Sequence, residues 1–326
     1  MMAEVRAPLT ISLLACLLFA AARGAESVET SMRAAIGKAL PFVETRGKAW
    51  IEKRGCVSCH QVPSMLRSME AGEARGFAQP RKFIDETTEW STHWERWTNK
   101  GEGAGKAQAD ATNVDTMSAL LLIKPAAGET EWGKRFRATL LSLQQPDGSW
   151  QPGGQLPLQA RPAREQKEVT TLWVLLALRA DASAAAAKRK ARDFLAGASP
   201  AVTSERLALE LALAASEGRE TAEPLARLLA VQDAAGGWAW KIGAAPDAYG
   251  TGLALHALAQ AGASREQPAV ARALRFLLTT QKPDGSWAVP STRAKDGGKV
   301  RATSTDWGTA WAVIGLTDHL PSPSSR

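Results

Sequence analysis

The sequence holds three cysteines, four histidines and a single tyrosine, and each scarcity narrows what the chain can be. A structural zinc site built on two cysteine pairs is out of reach. Only Cys56 and Cys59 lie close together, and Cys16 sits far off near the N-terminus. β-Branched residues are sparse beside alanine and leucine, a balance that favours helices. Beyond the first two dozen residues, no apolar run approaches the length of a membrane span. The net charge is +7, yet lysine and arginine are scattered among acids rather than gathered into a stripe that would grip a phosphate backbone. Nucleic acid is therefore not an expected partner. A hydrophobic share of 45% supports a real core.

What is present starts with a leader. Arg6 precedes an apolar run from about Leu9 to Ala22, and small residues follow at Ala22, Gly24 and Ala25. That layout predicts a secretory signal over residues 1–24, with an apolar region too short to span a bilayer. Export to the periplasm follows as an expectation. The run Leu13-Leu14-Ala15-Cys16 also resembles a bacterial lipoprotein box, although apolar residues continue well past Cys16.

After cleavage the remaining thiols are those of Cys56-Val57-Ser58-Cys59-His60. Two thiols separated by two residues and followed at once by imidazole is the spacing that attaches a c-type haem. Each Cys adds across one vinyl group, and the adjacent His then lies beneath the ring as an iron ligand. A thioredoxin-like dithiol, half of a zinc site and a plain disulfide remain the competing readings. The helical surroundings differ from the βαβ setting of the first.

The mature chain reads as helices throughout. Residues 31–55 recur at helical spacing, with Pro41 as a break or kink. Residues 62–76 close at Gly76, and a third candidate spans 80–98. The glycine-rich link over 101–105 is the best boundary. Beyond it the chain repeats itself. Gln144-Gln145-Pro146-Asp147-Gly148-Ser149-Trp150 returns as Gln281-Lys282-Pro283-Asp284-Gly285-Ser286-Trp287, with a looser copy from Gln232 to Trp238. Each copy ends one apolar helix pattern and precedes another. Asp-Gly permits the turn, with Gly in the left-handed conformation, and the Trp supplies a flat apolar face for packing. Trp238 and Trp287 lie 49 residues apart and Trp150 and Trp238 lie 88 apart, so a middle copy without the signature falls over 184–216.

These segments resemble the QW repeats of the squalene–hopene cyclase and prenyltransferase superfamily, over roughly residues 106–320. The resemblance implies an α/α toroid of concentric helices, with Gln and Trp bracing the outer helices and the second helix of each repeat lining the centre. An unrelated α-solenoid of hairpins is the alternative. A CxxCH segment joined to such repeats also resembles exported haem-c/cyclase-like proteins of bacteria. The superfamily's catalytic groups are mostly missing. No Asp-x-Asp-Asp cluster exists, and Asp110, Asp115, Asp247 and Asp306 read instead as helix N-caps. Gly252 stands where a zinc-binding Cys would fall.

The expected architecture is therefore all-α: a signal peptide over 1–24, a small cytochrome c-like haem attachment segment over 25–105, a terpenoid cyclase-like toroid over 106–320 and a tail over 321–326. One covalent haem c is expected on Cys56 and Cys59, with His60 as the proximal iron ligand and Met117, His93, Met65 and Met69 as distal candidates. The expected role is electron transfer or haem-dependent redox chemistry, with the toroid holding a redox partner protein or an apolar small molecule. A haem-dependent oxidoreductase acting on a terpenoid-like substrate is one alternative. A haem-free binding module with a Cys56–Cys59 disulfide is the other.

Overall fold

The computed structural model describes residues 10–58, 61–93, 96–97, 113–123, 129–153 and 156–322, with side chains from residue 28 onward. Its secondary structure is helical, with only isolated β-bridges besides. The chain alternates between two concentric rings. The outer helices are α1 (Thr10–Arg54), α3 (Arg81–Ser91), α5 (Glu131–Ser142), α7 (Ala185–Ala196), α9 (Ala222–Ala230) and α11 (Pro268–Thr280). The inner helices are α2 (Val62–Glu73), α4 (Val114–Leu121), α6 (Ala163–Ala177), α8 (Ser204–Ser216), α10 (Ala248–Gln260) and α12 (Ala302–Asp318). No helix among the described residues is long and apolar enough to cross a membrane.

Burial separates the two rings. An outer helix buries one stripe, as α11 does with Val270, Ala273, Leu274 and Leu277. An inner helix is covered on nearly every side, and α12 is buried almost continuously from Ser304 to Thr317. Each inner helix packs on the next, α4 on α6, α6 on α8, α8 on α10, α10 on α12, and α2 packs on both α12 and α4. The ring therefore closes. At its tightest point a Cβ on Gly252 would lie 2.4 Å from the Trp311 carbonyl, so α10 and α12 touch backbone to backbone only because glycine stands there.

The repeated turns explain the spacing of the motif. Gly148, Gly236 and Gly285 take φ of 86°, 96° and 85°, the left-handed region. In each turn the Trp indole N–H reaches back to its own outer helix: Trp150 to Leu140 O at 2.6 Å, Trp238 to Leu228 O and Trp287 to Leu277 O at 2.8 Å. The Gln amide donates forward to the next outer helix: Gln144 to Ala187 O, Gln232 to Ala269 O and Gln281 to Ala35 O, at 2.8, 2.8 and 2.9 Å. The middle copy over 184–216 is the α7–α8 hairpin, without the signature.

Three expectations change. The α1–α2 hairpin, within the segment expected over 25–105, does not stand apart from the toroid. The last motif docks on α1, and α2 completes the inner ring, so the first hairpin belongs to the same body. Helix α1 also continues through Pro41, which is exposed. Of the four aspartates expected as caps, Asp247 is one, accepting from Gly250 N at 2.8 Å. Asp115 and Asp306 lie inside their helices with tertiary partners, and Asp110 falls outside the described residues.

Candidate functional site

The Cys56 loop joins α1 to α2, the place that a repeated turn occupies in three later hairpins. Gly55 ends α1 with φ 60° and an N–H bond to Ile51 O at 2.8 Å. Cys56 follows as a half-buried thiol, free among the described residues, and the Trp50 indole N–H donates to its carbonyl at 2.9 Å. Burial raises the Cys56 thiol above its ordinary range. Ser58 is left-handed at φ 53°, a conformation a side chain tolerates poorly. Cys59 and His60 lie outside the described residues.

The loop is clasped to α12 at once. Buried Gln61 donates through Nε2 to Asp306 Oδ2 at 2.6 Å, and Arg46 of α1 grips both Asp306 oxygens at 2.8 and 3.1 Å. Asp306 therefore ties the residue after His60 to the inner ring. Of the distal candidates, Met65, Met69 and Met117 are core residues, 1%, 0% and 3% exposed. Met65 packs into the space left by Gly47, where a Cβ would lie 1.9 Å from its Sδ. His93 follows the end of α3 with its Nδ1 against Glu89 O at 2.7 Å.

A central cavity runs along the inner ring in two chambers. The narrow one, about 60 Å³, lies toward the N-terminal ends of the inner helices, between Pro63, Ser64, Asp115, Glu205 and Trp307. The wide chamber, about 570 Å³, opens toward the C-terminal ends, past Leu209, Leu253, His256, Ile314 and Asp318. Arg67, Leu122 and Trp173 border both. Trp173 and Trp311 meet across the ring with centroids 5.7 Å apart, and the Arg67 guanidinium lies 4.8 Å from the Trp311 ring.

Charges buried in this wall are partnered. Glu205 pairs with Arg161 at 2.9 Å and accepts the indole N–H groups of Trp240 at 2.9 Å and Trp173 at 3.2 Å. Burial works to raise Glu205, but Arg161 and these donors outweigh it and hold the carboxyl below its usual range. Asp115 has no direct ion pair among the described residues, and the attraction of Arg161 on it is outweighed. Burial pushes it up to about 6 against the donors Gly153 N at 2.5 Å and Thr170 Oγ1 at 2.8 Å. In the wide chamber His256 bridges Asp318 at 2.5 Å and Arg67 at 2.9 Å.

Sequence reasoning missed Arg67, Asp318, Glu205 and the paired tryptophans as cavity residues, and set His256 aside for its distance from the haem motif. One signal was available. Glu205, Trp173 and Trp311 lie on helices already expected to be the second of a repeat, so their side chains had a route to the centre.

The comparisons with known proteins agree with this architecture. The squalene-hopene cyclase C-terminal domain family matches residues 193–320. A probable squalene–hopene cyclase of Sinorhizobium fredii is 36% identical over 100 residues, which is 30% of this chain and 15% of that protein. The chain thus aligns with a small part of that curated relative. Residues 193–320 are similar to the squalene–hopene cyclase C-terminal domain. Among solved structures, a type II terpene cyclase variant from Scytonema, in complex with geranylgeranyl dihydroxybenzoate, gives a TM-score of 0.56 at 14% identity, covering 90% of this chain and 99% of that one. A polysaccharide lyase gives 0.51 at 14% identity, covering 87% and 96%. At that identity the likeness shows the α/α toroid alone, a fold that carries unrelated chemistries.

Proposed function

We propose that the chain is an exported c-type haem protein whose toroid is a scaffold for an apolar ligand or a redox partner. The observation that carries it is Cys56-Val57-Ser58-Cys59-His60 in the connection between α1 and α2. Cys56 and Cys59 would hold one haem covalently, and His60 would bind its iron. The fit rests on Cys56, whose thiol has no disulfide partner among the described residues and whose carbonyl is fixed by Trp50. Haem bound there supplies one-electron redox chemistry. The protein's own contribution is positional. Arg46, Asp306 and Gln61 hold the segment after His60 against α12, and Trp50 holds the segment before it.

A second reading has one observation in its favour. The narrow aromatic chamber begins at Pro63 and Ser64, three and four residues past His60. A haem-dependent oxidoreductase would use that neighbourhood to bring an apolar substrate near the iron.

The test is an absorption spectrum of protein exported by a host with c-type haem maturation, oxidised and then reduced with dithionite. Sharp reduced bands that survive acid–acetone extraction are the expected result. Their change with carbon monoxide selects the oxidoreductase, and indifference to it selects the carrier. A colourless protein whose Cys56 and Cys59 have lost two hydrogens by mass spectrometry overturns both.

A further inference from the structure

The wide chamber has two unlike walls. Leu209 of α8, Leu253 of α10 and Ile314 of α12 present an apolar face, whereas Arg67, Arg75 and Arg179 present guanidinium groups. The acids on the same surface are already engaged. Glu73 and Glu70 pair with Arg81 at 2.8 and 3.8 Å, and Asp318 accepts from His256. Arg75 donates to Thr317 O at 2.8 Å and Arg179 to Leu176 O at 2.9 Å, both neutral carbonyls. Arg67 has the His256 imidazole and the Trp311 ring. Among the described residues, none of these three arginines has a carboxylate within ion-pair distance.

A guanidinium at the neck of a cavity that meets a carboxylate only through an intervening imidazole is costly to keep unless an anion completes it. Burial already pulls Arg67 down to about 10, partly offset by Asp318, which leaves it cationic at neutral pH. Its planar fork suits a carboxylate, which it can grip by two parallel hydrogen bonds. The apolar residues Leu209, Leu253 and Ile314 line the same chamber, on α8, α10 and α12.

From this arrangement we infer that the wide chamber binds a long-chain carboxylate, with its head on Arg67 and its chain along Leu209, Leu253 and Ile314. The inference rests on the toroid being a scaffold for an apolar ligand and adds what the ligand's polar end must be. Arg179 lies close enough to Arg67 to repel it, and a shared carboxylate would relieve that repulsion.

The test titrates the full chain by isothermal calorimetry with decanoate and with decan-1-ol, which share an apolar chain and differ in charge. Decanoate is expected to bind about tenfold tighter, the scale of a charge-assisted hydrogen bond. Arg67→Gln is expected to abolish that preference while leaving decan-1-ol affinity within about twofold, and Arg67→Lys to retain a preference. Equal affinities in the wild-type chain, or an unchanged preference in Arg67→Gln, overturn the inference and leave the apolar scaffold standing. Binding of neither probe overturns the apolar-ligand form of the scaffold reading as well, leaving the redox-partner form. Haem attachment is read from the absorption spectrum and is untouched by either result. The wild-type comparison needs no variant, so a misfolded Arg67→Gln, visible by circular dichroism, does not remove the test.

Discussion

Trp173 of α6 and Trp311 of α12 stand on opposite sides of the inner ring, and their rings meet between the two chambers at 5.7 Å, tilted by 44°. That contact forms the partition of the cavity. Truncating a large aromatic side chain typically removes about 3 kcal/mol or more through lost burial and a new void. Trp173 already borders open space and is only partly buried, so Trp173→Ala should fall at or below the low end, about 2–3 kcal/mol by urea denaturation. A loss well below about 1 kcal/mol would show that the partition contributes little to the fold.

Ring closure depends on the last repeated turn. Gln281 donates to Gly285 O and to Ala35 O of α1, at 3.0 and 2.9 Å. Gln281→Ala strands both carbonyls, which should lower unfolding free energy by about 1–3 kcal/mol. Gly285→Ala should do more. It combines a left-handed φ of 85° with a Cβ that would fall 2.2 Å from Lys38 O. Chemical denaturation of both variants checks the order. Equal stability to wild type would mean that α1 does not close the ring.

Asp306 should control the order of the haem-motif connection. Asp306→Asn leaves Arg46 without its carboxylate and presents an amide to Gln61 in place of an acceptor pair. Arg46 is 40% exposed, so the ion pair itself contributes little, about 0–1 kcal/mol. The larger effect is expected locally, as faster hydrogen exchange over residues 56–62 by mass spectrometry. Unchanged exchange there would remove Asp306 from any positioning role.

The pH dependence of stability should carry a signature of Asp115. Its folded pKa of about 6 lies above the ordinary 3.8. Between those values the folded protein binds more protons than the unfolded chain, so this group's contribution is present in full below about pH 4 and declines as pH rises through 6. The shift of about two units corresponds to about 3 kcal/mol. Asp115→Asn cannot ionise. The stability of wild type relative to this variant should fall by about that amount from pH 4 to pH 7, measured by denaturant titration at each pH. A pH-independent difference would mean that Asp115 is not held near neutrality by burial.

The repeated turns were legible because everything they use is local. Asp284 accepts from Ser286, Gly285 turns left-handed, and Trp287 reaches a carbonyl ten residues back, all within one hairpin. Alanine- and leucine-rich periodicity placed the inner helices for a similar reason, since a helix buried on every side must be apolar on every side. Pro41 misled, because a helix can continue past a local breaker when tertiary packing holds both sides.

By itself, then, the sequence determined the helices, their alternation, the turn chemistry and a haem-attachment spacing. Only the tertiary structure decided that α1 and α2 close the ring, that Asp306 clasps Gln61, and that Arg67 meets His256. Those pairs are separated by 245 and 189 positions. No periodicity reaches that far. The ring brings them together because each inner helix buries its flanks against two neighbours, and the last helix has only the first left to meet.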